Sequence, residues 1–215
     1  MLRRSDRTGG DPVHLLRRRR TDKARRIVLV PDVSGSMEPY ARIYLHLLRG
    51  AVRAINAEAF VFATHLTRLS GQLSSMLTDQ AYARAAAAVK DWSGGTCIGL
   101  SLRTFIDRYR RRGSARGAVV VIVSDGWESD RPDFLGDAMT QLGRLAHHII
   151  QVNPRKASEP FEPLTGGIAA ALPHVDTFLS GHSLRALNDV IAAIVAAGDQ
   201  VNRSTRDRAR ITGAA

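Results

Sequence analysis

The chain has 215 residues, 44% of them hydrophobic, and a formal net charge of +11, which suits one domain with a full apolar core. Its apolar runs, around Val119 to Val123 and Ile191 to Ala197, fall well short of the ~20 residues that cross a bilayer. The start, Met1-Leu2-Arg3-Arg4-Ser5-Asp6, lacks the apolar stretch of a secretory signal. A cytoplasmic location without membrane contact is therefore expected. A single cysteine, Cys97, leaves no internal disulfide and fits a reducing compartment.

In chain order, residues 1–24 read as a basic flexible arm, 25–199 as the folded domain and 200–215 as a basic flexible tail. Within the domain, short β-branched runs alternate with stretches of helical period. That pattern belongs to an α/β fold with a mostly parallel sheet covered by helices on both faces. Strands are expected at Ile27 to Val30, Ala59 to Ala63, Thr67 to Ser70, Val119 to Ser124, His148 to Val152 and Val175 to Leu179. Ile27 to Val30 and Val119 to Ser124 are continuous aliphatic runs, as in central strands buried on both sides. The Thr67 to Ser70 strand, reached by the His65-Leu66 link, would be an antiparallel edge hairpin. Helices are expected over Pro39 to Asn56, Asp79 to Lys90, Ile98 to Arg111, Pro132 to Ala146 and Leu184 to Ala197.

The charge sits at the ends. Residues 1–26 carry +7 and residues 202–215 carry +3, leaving +1 for everything between. The folded part is thus nearly neutral, and a run such as Arg17-Arg18-Arg19-Arg20 reads as a solvated arm more readily than as a nucleic-acid reader. Arg103, Arg108, Arg110, Arg111, Arg112 and Arg116 form a second basic group, at a helix end where cations are favourable without any ligand.

In an open sheet of this kind, ligands bind where strands end and helices begin. Three segments rich in oxygen-bearing residues meet there: Asp32 to Met37, Ser93 to Cys97 and Ser124 to Trp127. Asp32-Val33-Ser34-Gly35-Ser36 alternates oxygen-bearing side chains with small or apolar ones, so Asp32, Ser34 and Ser36 can converge. Gly35 eases the turn. Thr96 adds a hydroxyl after Gly94-Gly95, and Asp125 adds a second carboxylate. Hard divalent cations such as Mg²⁺ accept this donor set because they prefer oxygen and retain waters, and Mn²⁺ accepts it too. Taken singly, Ser36 and Thr96 read as helix N-caps. The arrival of all five groups at one edge shifts the balance toward a shared cation.

These phrases resemble the metal-ion-dependent adhesion site of von Willebrand factor A (vWA) domains. Asp32 to Arg42, Asp91-Trp92-Ser93-Gly94-Gly95-Thr96, Val123-Ser124-Asp125-Gly126-Trp127-Glu128, Pro173-His174-Val175-Asp176 and Gly181-His182-Ser183-Leu184 are similar to the CoxE-like branch, over about Arg25 to Ala196. The resemblance implies a Rossmann-like vWA fold at 25–199. It implies that Ser34, Ser36 and Thr96 coordinate Mg²⁺ while Asp32 and Asp125 hold its waters. It also implies a non-enzymatic adaptor whose partners are a MoxR-type AAA+ ATPase, a client metalloenzyme of the molybdenum-containing carbon monoxide dehydrogenase kind, or both. The partner supplies an acidic residue that completes the metal site. CoxE-like proteins carry a sizeable helical region ahead of the first strand, where this sequence has a short basic arm.

Rival readings have less to stand on. No G-x-G-x-x-G follows a strand, no P-loop is present, and Ser34 lies outside a G-x-S-x-G elbow. A Mg²⁺-dependent hydrolase or phosphatase of similar topology would want a carboxylate at position 34. His147, His148, His174 and His182 lack the i,i+4 spacing of a helical zinc site. Trp92 and Trp127 flank two of the site loops and are expected mainly in core packing. Cys97, where a polar residue is expected, reads as a packed thiol. Nucleic-acid binding through Arg17 to Arg26 and Arg203 to Arg210 would be salt-dependent and blind to sequence.

Overall fold

The computed structural model describes residues 25–75, 77–90, 95–109, 113–129, 131–155 and 166–211. The basic arm at 1–24, Trp92 and Arg110 to Arg112 lie outside the described residues.

The strands are β1 (Ile27–Pro31), β2 (Glu58–Phe62), β3 (Leu66–Arg68), β4 (Val119–Val123), β5 (His148–Asn153) and β6 (Thr177–Ser180), in the order β3-β2-β1-β4-β5-β6. All neighbours pair parallel except β2 and β3, which form the antiparallel edge hairpin through Phe60↔Arg68 and Phe62↔Leu66. β3 starts one residue earlier than its β-branched residues suggest, at Leu66. β1 and β4 are the central pair, buried at every position. Their aliphatic runs have no polar alternation because both faces are covered.

The helices are α1 (Glu38–Ile55), α2 (Ser70–Leu73), α3 (Thr78–Ala88), α4 (Ile98–Tyr109), α5 (Pro132–Gly143), α6 (Gly166–Ala171) and α7 (Leu184–Ile211). α1 buries Ala41, Tyr44, Leu45, Leu48 and Val52, one stripe at helical spacing. It stops at Asn56, whose φ of 52° is a left-handed cap. α1, α2 and α7 pack on the face carrying Leu29, Val61 and Val121. The opposite face carries Val28, Val30, Phe60 and Ile122, and α4, α5 and α6 cover it.

Two elements depart from the sequence reading. α7 continues to Ile211, so residues 200–211, expected as a flexible tail, are helical. No proline interrupts that stretch, and Gly198 costs a helix only about 1 kcal/mol relative to alanine. α6 was not anticipated, since its six residues, Gly-Gly-Ile-Ala-Ala-Ala, are too few to show a period. No described helix is long and apolar enough to cross a membrane.

Candidate metal centre

Chain order reverses between β1 and β4. The first half of the fold grows outward through β2 and β3, and the second through β5 and β6. Loops leaving β1 and β4 therefore diverge to opposite faces and open a crevice at their carboxyl ends. Backbone bonds hold this edge. Asp32 N–H donates to Val123 O at 2.8 Å, Val33 N–H to Phe62 O at 2.8 Å, and Ser124 N–H to Val152 O at 3.0 Å.

Asp32 is fully buried. Its Oδ1 accepts the Ser34 amide at 2.8 Å, and its Oδ2 accepts the Ser124 hydroxyl at 3.0 Å. Burial pushes this carboxyl up to about 6, against the lowering pull of Ser34 and Ser124, with Asp125 adding repulsion. Among the described residues Asp32 is in no ion pair. The Ser34 and Ser36 hydroxyls stand 3.4 Å apart. The N-cap of α1 is Met37, without a side-chain cap bond, because the 3-10 turn Gly35–Met37 separates Ser36 from the helix. The capping role open to Ser36 is thus not the one it fills.

Thr96 is buried at 3% exposure and is fixed through its backbone. Its carbonyl accepts Ser129 N–H at 2.9 Å, its amide donates to Ser129 Oγ at 3.3 Å, and the next amide, Cys97 N–H, donates to Ala63 O at 2.9 Å. The segment before α4 is thereby tied to the end of β2 and to the loop after β4. Glu128 Oε2 accepts Gly99 N–H at 2.8 Å in the first turn of α4. Gly126 takes a φ of +78°, a conformation that favours glycine. α6 presses on this loop so closely that a Cβ at Gly167 would collide with the Gly126 carbonyl.

Asp125 is the other buried carboxylate. Its Oδ1 accepts Trp127 N–H at 3.1 Å, and its Oδ2 pairs with Arg155 Nη1 at 3.4 Å. Trp127 is 62% exposed, which corrects the expectation of core packing. Its backbone N–H is committed to Asp125, and its indole is exposed. Ser124 and Arg155 were not among the candidate site residues. Ser124 was legible as the strand-terminal partner of Asp125. Arg155 carried only a positional signal, at the carboxyl end of β5.

The donors fit a hard cation: two carboxylates and the hydroxyls of Ser34, Ser36 and Thr96, all oxygen. Asp32 adds a physical reason, since a buried carboxyl without a counter-ion is relieved by a nearby positive charge. Among the described residues no group of three or more His, Cys, Asp or Glu is placed to hold a metal, so a zinc-type cluster is not formed there. His148, His174 and His182 instead face the hydroxyls of Thr177, Thr140 and Ser180.

An open α/β sheet with oxygen donors at its switch point defines a vWA-type domain. The family profile described as "VWA domain containing CoxE-like protein" matches residues 1–187, and the chain belongs to that family. The match takes in the basic arm and the fold as far as the start of α7. Solved structures agree on the fold. The pilus adhesin SpaC of Lactobacillus rhamnosus GG, in an open conformation, is similar at a TM-score of 0.53 and 13% identity, over 80% of this chain and 30% of that one. Proximal thread matrix protein 1 from the mussel byssus, in a form with a zinc-occupied MIDAS motif, is similar at 0.51 and 16%, over 80% and 45%. The minor pilin PilB of Streptococcus sanguinis, as a D319A mutant, is similar at 0.50 and 13%, over 86% and 62%. This chain thus spans less than half of the mussel protein and of the adhesin. No curated protein matches the sequence.

Proposed function

We propose that this protein is a metal-dependent protein-binding module, in which Ser34, Ser36 and Thr96 hold Mg²⁺ or Mn²⁺ and Asp32 and Asp125 hold the ion's waters. The observation that carries the proposal is Asp32: a buried carboxylate with no ion pair among the described residues, joined through Ser34 and Ser124 to both central loops. When bound, the ion supplies an electron-poor position able to accept a carboxylate from a partner. The chain's own residues do the rest. Asp32 orders the Ser34 amide and the Ser124 hydroxyl, while Asp125 sets Trp127 and Arg155 at the rim. An exposed indole and a largely exposed guanidinium, both held through Asp125, suit a partner segment that is acidic and partly apolar.

Following the family, we assign the partner as a MoxR-type AAA+ ATPase, a client molybdenum metalloenzyme, or both, with this chain as a non-enzymatic adaptor. The test is co-purification with a MoxR-type ATPase, in Mg²⁺ and in EDTA, using wild type and Asp125→Ala. Retention in Mg²⁺ alone, lost in the variant, is expected. Retention in EDTA would contradict the proposal.

A further inference from the structure

Asp125 is shared between two roles. Its side chain is only 5% exposed, yet Oδ2 is engaged by an arginine that is 59% exposed. Arg155 reaches it from the turn after β5, where its backbone N–H donates to the buried Asn153 Oδ1 at 2.8 Å. The main chain of this arginine is therefore anchored while its side chain is mostly in solvent. Such a contact, at 3.4 Å and open to water, holds weakly. A guanidinium also keeps its charge at any accessible pH, so it cannot make room for a cation by losing a proton.

We infer that Arg155 is a built-in competitor of the metal: its guanidinium sits on Asp125, the carboxylate that would hold the ion's waters, and its charge opposes uptake of the ion. The inference rests on the metal-site reading above. It makes this a site of set, moderate affinity, with a guanidinium at the rim for a partner's acidic group. The Asp125–Arg155 geometry carries it, because the guanidinium sets a fixed positive charge on the carboxylate that would hold the ion's waters. A unit positive charge on the same carboxylate, in a partly solvated setting, weakens binding of a divalent ion by roughly tenfold at low salt. Mobile ions reduce that penalty as the screening length shrinks below ~10 Å.

The test is a Mn²⁺ titration of the full chain, with free ion counted by its electron paramagnetic resonance signal. It compares wild type, Arg155→Ala, Arg155→Lys and the control Arg131→Ala, whose arginine pairs with Asp133 instead. Arg155→Ala should bind about tenfold more tightly at low salt, the gain shrinking toward twofold at 0.5 M salt. Arg155→Lys and Arg131→Ala should stay within about twofold of wild type. Binding by Arg155→Ala alone would be the extreme of the expected result. An unchanged or weaker affinity in Arg155→Ala, or an equal gain in Arg131→Ala, overturns the inference and leaves the metal site standing. No binding by wild type or by Arg155→Ala overturns the metal-site reading itself.

Discussion

The Ser124 hydroxyl donates to Asp32 Oδ2 at 3.0 Å, joining the ends of the two strands that flank the switch point. Because the same Oγ accepts Gly126 N–H at 3.0 Å, one side chain couples the buried carboxylate to the loop that carries Asp125. Ser124→Ala removes both bonds and leaves the Gly126 amide unpaired. A loss of about 1–3 kcal/mol is expected in urea unfolding, with weaker metal response.

Asp32 makes the metal-free protein pH-sensitive. Its folded value, about 6, lies above the ordinary carboxylate value of 3.8. A raised carboxyl favours folding while protonated, so its contribution is complete below pH ~4 and is lost as pH rises through ~6. At neutral pH the ionised group therefore costs the apo protein up to about 3 kcal/mol. Asp32→Asn should melt above wild type in EDTA at pH 7.5, with the gap closing near pH 4, and should lose all response to Mg²⁺. A variant less stable than wild type at pH 7.5 would show that Asp32 is satisfied without a cation.

Trp127 should separate binding from folding. Its side chain is 62% exposed, so Trp127→Ala is expected to change stability by less than about 0.5 kcal/mol. Partner capture should fall at least tenfold, as for an aromatic anchor. Equal capture by variant and wild type would remove the indole from the partner surface.

Gly181 gives a control in another loop. A Cβ there would collide with the Tyr44 hydroxyl and approach Val152 Cγ1 to 2.6 Å. Gly181→Ala should destabilise by about 1–3 kcal/mol through overpacking, and calorimetry should still show a metal-induced rise in melting temperature.

Much of this arrangement was legible in the sequence for local reasons. β1 and β4 are apolar at every position because both faces are buried; β1 leads directly into Asp32, and β4 into Ser124 and Asp125. Hydroxyl and carboxylate residues clustered at three loops could then be assigned to one edge by the topology of parallel sheets. Contacts made at a distance were not legible. Arg155 finds Asp125 across 30 residues, and nothing local marks it. Trp127 was misread because a large aromatic is ordinarily buried. Its main chain is held by the Asp125 bond to its amide, a turn contact invisible to hydropathy, and its side chain is exposed. α7 outran its apolar stripe because helices continue through charged residues until something stops them.

The most direct test of the account is thermal unfolding of the purified protein in EDTA, Mg²⁺ and Mn²⁺, beside a double Ser34→Ala, Ser36→Ala variant. An ion that binds only the native state stabilises it by about 2.7 kcal/mol at a hundredfold excess over its dissociation constant. Wild type should rise by several degrees and the variant should not. Identical curves for both proteins, in all three conditions up to tens of millimolar ion, would contradict it.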